Sequence, residues 1–299
     1  MSEWLISLEG TEAGKQVALM LALSAAFLHA LLGALQKGRY DPFTTRTAID
    51  GSYALMALPF AIFVVPWPEP DIWHLFAVAW AIHVAYKVLQ ATAYTYGAYT
   101  VVYPVVRGTG PVFTVIGAGI LFGEVFSGLQ WLGVSALAAG ILRLAVYNLR
   151  HITDDRARLP MALGLAVMTG GVVALYTTWD AFVIRATADP LTFIAWFFFL
   201  DGLAFPIAYL AWNKGQVPRP IAPLLRLGVF GAVIAILSFG GIMLATRLDK
   251  VGEAAVLRET SVIFAALIAY LFWGEKVGPR RLSLMALIAA GAVLVEMGG

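Results

Sequence analysis

VVYPVVRGTGPVFTVIGAGILFGE, residues 101–124, holds a run of apolar residues with an arginine, Arg107, inside it. The run is as long as the roughly 20 residues that carry a helix across a bilayer. A charge at that depth costs about 2.5–3.5 kcal/mol on insertion scales and so needs a partner or water. GEAAVLRETSVIFAALIAYLFWGE, residues 252–275 and 151 positions further on, repeats the plan. Arg107 falls on Arg258, Thr109 on Thr260, Phe113 on Phe264 and Gly123-Glu124 on Gly274-Glu275. The same shift lays Asp50-Gly51 on Asp201-Gly202 and Gly140 on Gly291, and a slightly smaller one lays Asp41-Pro42 on Asp189-Pro190. Chance readily matches alanines and leucines between apolar segments, but rarely two buried arginines, two Asp-Gly pairs and two Gly-Glu pairs in one register. The chain reads as a duplication, with a first unit at 1–147, a connecting loop at 148–159 and a second unit at 160–299.

The rest of the chain fits that reading. Of its 299 residues 61% are hydrophobic and 13% charged, and the mean hydropathy is +0.83. Soluble domains are about half apolar and a quarter charged. Short alternating segments, the mark of a transmembrane barrel, are absent. Apolar runs predict helices over 15–37, 46–66, 71–96, 101–122, 127–147, 160–185, 190–212, 220–246, 252–273 and 279–297, divided by Pro- and Gly-rich turns. The expected fold is therefore an all-α integral membrane protein of ten transmembrane helices in two five-helix repeats. Five crossings leave the second unit starting on the opposite face, so the repeats are inverted, as in many secondary transporters. Lys37, Arg39, Arg46, Arg150, Arg156, Arg158, Lys214, Arg219, Lys276, Arg280 and Arg281 fall on one side, against four basic residues on the other. The positive-inside rule makes the first side cytoplasmic and puts both termini outside the cytoplasm.

Several classes are excluded. The net charge of +2 is scattered, which gives no case for nucleic acid. The chain has no cysteine, hence no disulfide, thiolate metal site or cysteine nucleophile. No metal-ligand spacing or His-Glu-x-x-His motif suggests an enzyme, and no cofactor is expected. Residues 1–12 carry three glutamates and no basic residue, the reverse of a signal peptide's start. The expected partners are a small-molecule substrate and the lipid bilayer, with the chain a monomer or homodimer. The small residues Ala136 and Gly140 in the fifth helix, and Ala286, Ala290 and Gly291 in the tenth, suit close packing or a dimer surface.

The charges at membrane depth carry the functional reading. Trp80, His83, Lys87, Gln90 and Tyr94 recur at three- and four-residue steps, one stripe along the third helix. Tyr176, Trp179 and Asp180 lie together on the sixth. Trp80, His83, Lys87, Arg107, Tyr176, Trp179, Asp180 and Arg258 are the candidate substrate-binding residues, the cations for a carboxylate and the rings for an apolar part. Asp50, Asp201 and Glu259 are candidates for proton or ion coupling. Structural readings stand beside these, with Asp50 and Asp201 pairing with Arg107 and Arg258 across the bundle, and Glu124 and Glu275 serving turns. His83 and Lys87 differ, since Ile234 and Ser238 occupy the matching positions. A residue present in one copy breaks the symmetry, as an asymmetric substrate also must.

Two five-helix halves, each with a helix running into Gly-Glu and then a helix with a late glycine, resemble the EamA-type exporters of the drug/metabolite transporter superfamily. The stretches that carry the resemblance are Pro104–Leu142 and Glu253–Val295. A proline often found near the position of Val262 is missing, and the loop after the second helix is acidic at Glu69 and Asp71. The resemblance implies export of small metabolites, often amino acids, by alternating access in a bacterial inner membrane; aromatic amino-acid exporters are a loose match. Exchange of phosphorylated or nucleotide-linked metabolites is the alternative.

Overall fold

The structure is a computed structural model that describes residues 2–36, 40–97, 99–149, 158–216, 221–273 and 278–299. Gly274-Glu275, Lys37, Arg39, Arg150, His151, Arg156, Arg219 and Lys276 lie outside the described residues. All regular structure among the described residues is helical. The helices are α1 (Ser2–Ser7), α2 (Glu12–Gln36), α3 (Pro42–Phe63), α4 (Trp73–Tyr96), α5 (Tyr99–Phe122), α6 (Gly128–Leu149), α7 (Leu159–Ala186), α8 (Pro190–Trp212), α9 (Ile221–Leu248), α10 (Val251–Arg258), α11 (Ser261–Trp273) and α12 (Pro279–Met297). Eight spans among them are long and apolar enough to cross a membrane: α2, α4 to α9, and the run Val251–Phe272 through α10 and α11. α3 is not in that set, because its first half is polar (Thr44, Thr45, Arg46, Thr47, Asp50). The apolar stretch of α12, Leu282–Met297, is shorter. The outward faces carry Phe63, Ile120, Val125, Trp212 and Phe272 at 76–88% exposure. Exposed apolar side chains in that number mark a surface made for lipid.

Local chemistry sets where the helices begin. Asp41 caps α3, its carboxylate accepting from the amides of Phe43 and Thr44 at 3.0 Å, with Pro42 in the first turn. Asp189 caps α8 in the same way from Leu191 at 2.8 Å, with Pro190 behind it. An aspartate satisfies the free amides of a first turn, and a proline there gives up no hydrogen bond. The cap brings α3 in at Pro42, four residues before the expected start at 46. The short α1 lies ahead of the first expected helix, 15–37.

The expected single helix over 252–273 is two. α10 ends at Arg258 and α11 begins at Ser261. Between them the chain tightens into i→i+3 turns, with the Glu259 amide donating to Val256 and the Thr260 amide to Leu257, both at 3.1 Å. The Thr260 hydroxyl donates to the same Leu257 carbonyl at 2.7 Å and competes with the helical ladder.

α3 lies along α8, α6 along α12, α2 along α9, and α5 and α4 along α7. The crossings of α6 with α12 and of α3 with α8 bring backbones together. A Cβ on Gly133 would stand 2.6 Å from the Gly291 carbonyl, and one on Gly291 at 2.6 Å from that of Gly133. The small faces of α6 and α12 are thus spent on each other within the chain. A Cβ on Gly202 would stand 2.6 Å from the Asp50 carbonyl. The glycine of the second Asp-Gly pair lets α8 close on α3, and this sets the two aspartates toward one point.

Candidate functional site

That point is Lys87. Its ammonium, on α4, donates to Asp50 Oδ2 at 2.6 Å, Asp201 Oδ2 at 2.7 Å and the Tyr53 hydroxyl at 2.9 Å. Tyr53 in turn donates to Asp201 Oδ2 at 2.5 Å. Arg46 Nε stands 3.0 Å from Asp50 Oδ1, an ion contact without hydrogen-bond geometry. Lys87, Asp50 and Asp201 are buried. α3 supplies Arg46, Asp50 and Tyr53, α4 supplies Lys87 and α8 supplies Asp201.

One turn along α4, His83 Nε2 meets Asp180 Oδ2 of α7 at 2.8 Å. The imidazole packs on Tyr176 at 4.6 Å and Phe197 at 4.7 Å between ring centroids. A third group forms at the break after α10. Arg107 Nη1 donates to Glu259 Oε1 at 3.1 Å, Arg258 Nε lies 3.5 Å from the same oxygen, and Arg107 Nη2 donates to His29 Nε2. The Arg258 guanidinium also lies 5.9 Å from the centre of the Tyr176 ring, which links this group to the second. Among the described residues, Tyr176 Oη, Asp180 Oδ1 and Asp201 Oδ1 are buried with no hydrogen-bond partner. Buried polar atoms are rarely left so.

The structure thus gathers His83, Lys87, Tyr176, Asp180, Asp50 and Asp201 on neighbouring elements, and Arg107, Arg258 and Glu259 beside them. It does not bring in Trp80, which is 41% exposed on the outer face of α4. Trp179 is turned to the Leu75 carbonyl at 3.1 Å, two turns from His83. The suggested pairing of the aspartates with Arg107 and Arg258 does not form. Lys87 reaches both aspartates first, and Glu259, next in sequence to Arg258, takes the arginines. Arg46, counted as a loop residue, is inside α3; its signal was the i,i+4 step to Asp50. Tyr53 was missed, although it lies three residues from Asp50. Glu124 accepts from the amides of Val251 at 2.7 Å and Gly252 at 3.0 Å, capping α10 from the left-handed turn at Gly123 (φ 68°). Burial raises its carboxyl above the ordinary value, against those two amides and Arg185.

The space within this group is small. A cavity of about 10 Å³ adjoins Tyr176, Thr177, Asp180 and Arg258, and another of about 10 Å³ adjoins Arg46, Tyr53, His83 and Asp201. Each is about the size of one water. A cavity of about 610 Å³ lies alongside, between α3, α4 and α8. Phe205 lines it, with its ring centre 5.5 Å from the Lys87 nitrogen. Among the described residues no group of three or more His, Cys, Asp or Glu could hold a metal ion.

This buried array of charges lies in a bundle of helices most of which are long and apolar enough to cross a membrane. Residues 160–297 match the EamA-like transporter family. The second half of the chain is similar to that family. A solved structure titled "Crystal structure of protein" is similar with a TM-score of 0.71 and 14% identity, covering 95% of this chain and 98% of that one. At that identity the likeness shows the fold alone. Comparison with curated proteins finds no match.

Proposed function

We propose that the protein is a secondary transporter that exports small zwitterionic metabolites, amino acids or related compounds, by alternating access. The observation that carries this is the bridge from Lys87 to Asp50 on α3 and Asp201 on α8. Drawing α8 away from α3 obliges Lys87 to leave one aspartate. A buried charge without its partner costs several kcal/mol, so the empty protein resists that movement. A zwitterion offsets the cost, its carboxylate meeting Lys87 and its ammonium the released aspartate. One broken pair becomes two new ones. The charges of this group agree. Arg46, Lys87, Arg107 and Arg258 face Asp50, Asp180, Asp201 and Glu259, four against four. A net-neutral cargo keeps that balance and a phosphorylated one does not. Tyr176 and Phe205 offer ring surface for a side chain.

In this reading α3 and α12 also cross, which makes ten spans in two inverted halves, 1–147 and 160–299, joined through 148–159. The packing supports it. α3 meets α8 and α6 meets α12, each its own counterpart, and α2 meets α9 as α7 meets α4. The grouping of lysines and arginines supports termini on the non-cytoplasmic face of a bacterial inner membrane.

Calorimetric binding to the purified protein in detergent tests the cargo class. The panel is aromatic and aliphatic L-amino acids, their methyl esters and the corresponding decarboxylated amines. Binding of zwitterions, lost in esters and amines and in Lys87→Ala, is expected. Esters that bind as tightly as the free amino acids would remove the zwitterion reading.

A further inference from the structure

Three buried acids are tied to permanent cations: Asp50 to Lys87 and Arg46, Asp201 to Lys87, and Glu259 to Arg107 and Arg258. A carboxylate held in that way gives up or takes a proton only when a cation moves off. Asp180 differs. Its one hydrogen-bond partner among the described residues is an imidazole, His83, and its second oxygen has none. Imidazole is the side chain whose ordinary titration falls near neutral pH. The two residues come from different halves, α4 and α7. Neither is duplicated, since the 151-residue register sets Ile234 against His83 and His29 against Asp180.

From the His83–Asp180 contact between α4 and α7 we propose that this pair is the transporter's proton site. It binds one proton while the buried group is open to one face of the membrane and releases it when open to the other. This rests on the transporter reading above. Loading turns a carboxylate–imidazole pair into a carboxylate–imidazolium pair: one N–H bond forms, no electron moves, and unloading reverses it. The surroundings do not lock either state. Arg46 and Tyr53 of α3 and Asp201 of α8 line the small cavity at His83, and Lys87 lies one turn away on α4. Tyr176 of α7 packs on the ring. Arg258 of α10, itself paired to Glu259, lines the cavity at Asp180, where α9 presents only Phe239, Ile242, Met243 and Thr246. Arg46, Lys87, Arg107 and Arg258 balance Asp50, Asp180, Asp201 and Glu259, so the proton is the one unmatched charge, moved in the direction opposite to the cargo.

The test separates proton binding, coupling and transport. In proteoliposomes loaded with a pH dye and a panel of amino acids, wild type is expected to show two activities. These are counterflow at equal pH and accumulation driven by an imposed pH difference. His83→Gln and Asp180→Asn are expected to lose the response to the pH difference, the ratio of driven accumulation to counterflow falling to its value at equal pH. A ratio unchanged in both variants overturns the proposal, and so does a fall of counterflow and accumulation by one common factor, which would make the pair part of cargo binding or of the fold. Nitrogen NMR of the four histidines (His29, His74, His83, His151) needs no cargo. One signal, identified by its absence in His83→Gln, is expected to pass from neutral imidazole to imidazolium as the pH is lowered. A His83 signal that stays neutral at every pH at which the protein is folded overturns the proton site even if no amino acid moves. Titration without any flux leaves the proton site and defeats the amino-acid reading alone.

Discussion

Replacing Lys87 with methionine keeps most of the side-chain volume and removes the charge between two aspartates. Asp50 keeps Arg46 at 3.0 Å, while Asp201 keeps only the Tyr53 hydroxyl at 2.5 Å and a buried oxygen without a partner. Stripping one partner from a buried pair costs about 3–5 kcal/mol, and Lys87→Met is expected in that range. Asp201→Asn is milder, because Lys87 retains Asp50 at 2.6 Å and Tyr53 at 2.9 Å. What is lost is one charged hydrogen bond, about 1.5–3 kcal/mol. The double variant leaves Arg46 and Asp50 as a balanced pair and no orphaned charge. It is therefore expected to be more stable than Lys87→Met alone, by about 2 kcal/mol, although it carries one more change. Reversible unfolding in mixed detergent, followed by circular dichroism, measures all three. A double variant less stable than Lys87→Met would refute the electrostatic reasoning and make Lys87 a packing residue.

Other expectations concern the frame. Gly133→Ala drives a methyl into the Gly291 carbonyl, 2.6 Å from the ideal Cβ position. It should cost about 1–3 kcal/mol by the same unfolding assay, whereas Gly164→Ala, with nothing within 4 Å, should not be destabilising. Glu124 has its carboxyl raised by burial above the ordinary 4.5. The folded state therefore holds that proton to higher pH than the unfolded state, and stability falls as pH rises from 4.5 through the raised value. Glu124→Gln should remove that dependence, so wild type loses ground to the variant across the window; an unchanged pH profile would contradict it. Asp41→Ala should cost about 1 kcal/mol near neutral pH as a lost cap. Burial pushes that carboxyl up, but the Thr44 hydroxyl and the amides of Thr44 and Phe43 hold it below the ordinary 3.8. Its contribution is present above that value and fades below it, and the gap between wild type and variant should narrow in strong acid.

Much of the architecture was legible because a bilayer demands apolar runs of fixed length, and the chain supplies them between Pro and Gly turns. The Asp-Pro pairs at 41–42 and 189–190 are caps whose chemistry is local, and helix starts follow from them. The break at Glu259-Thr260 was not visible, because Arg258-Glu259-Thr260-Ser261 can equally sit inside one continuous helix, and its residues do not say that a hydroxyl takes the Leu257 carbonyl. In the site, the i,i+4 step from His83 to Lys87 announced a shared face, and both are buried there. Trp80 has the same periodicity and faces outward; a helix with lipid on one side and protein on the other gives no sign in its spacing of where the boundary falls. Which acid meets which base is a contact between distant segments. The Lys87 bridge depends on how closely Gly202 lets α8 approach α3, and no repeat register encodes that distance.

The central claim is transport of a zwitterion through the Lys87 group. It is tested most directly by uptake of labelled amino acids into sealed proteoliposomes, with and without a pH gradient, for wild type and Lys87→Ala. Redistribution of at least one amino acid across the membrane by wild type, abolished by Lys87→Ala while the variant stays folded, is the predicted result. Equal flux in the variant, or none for any amino acid in vesicles that hold folded wild-type protein, would contradict it.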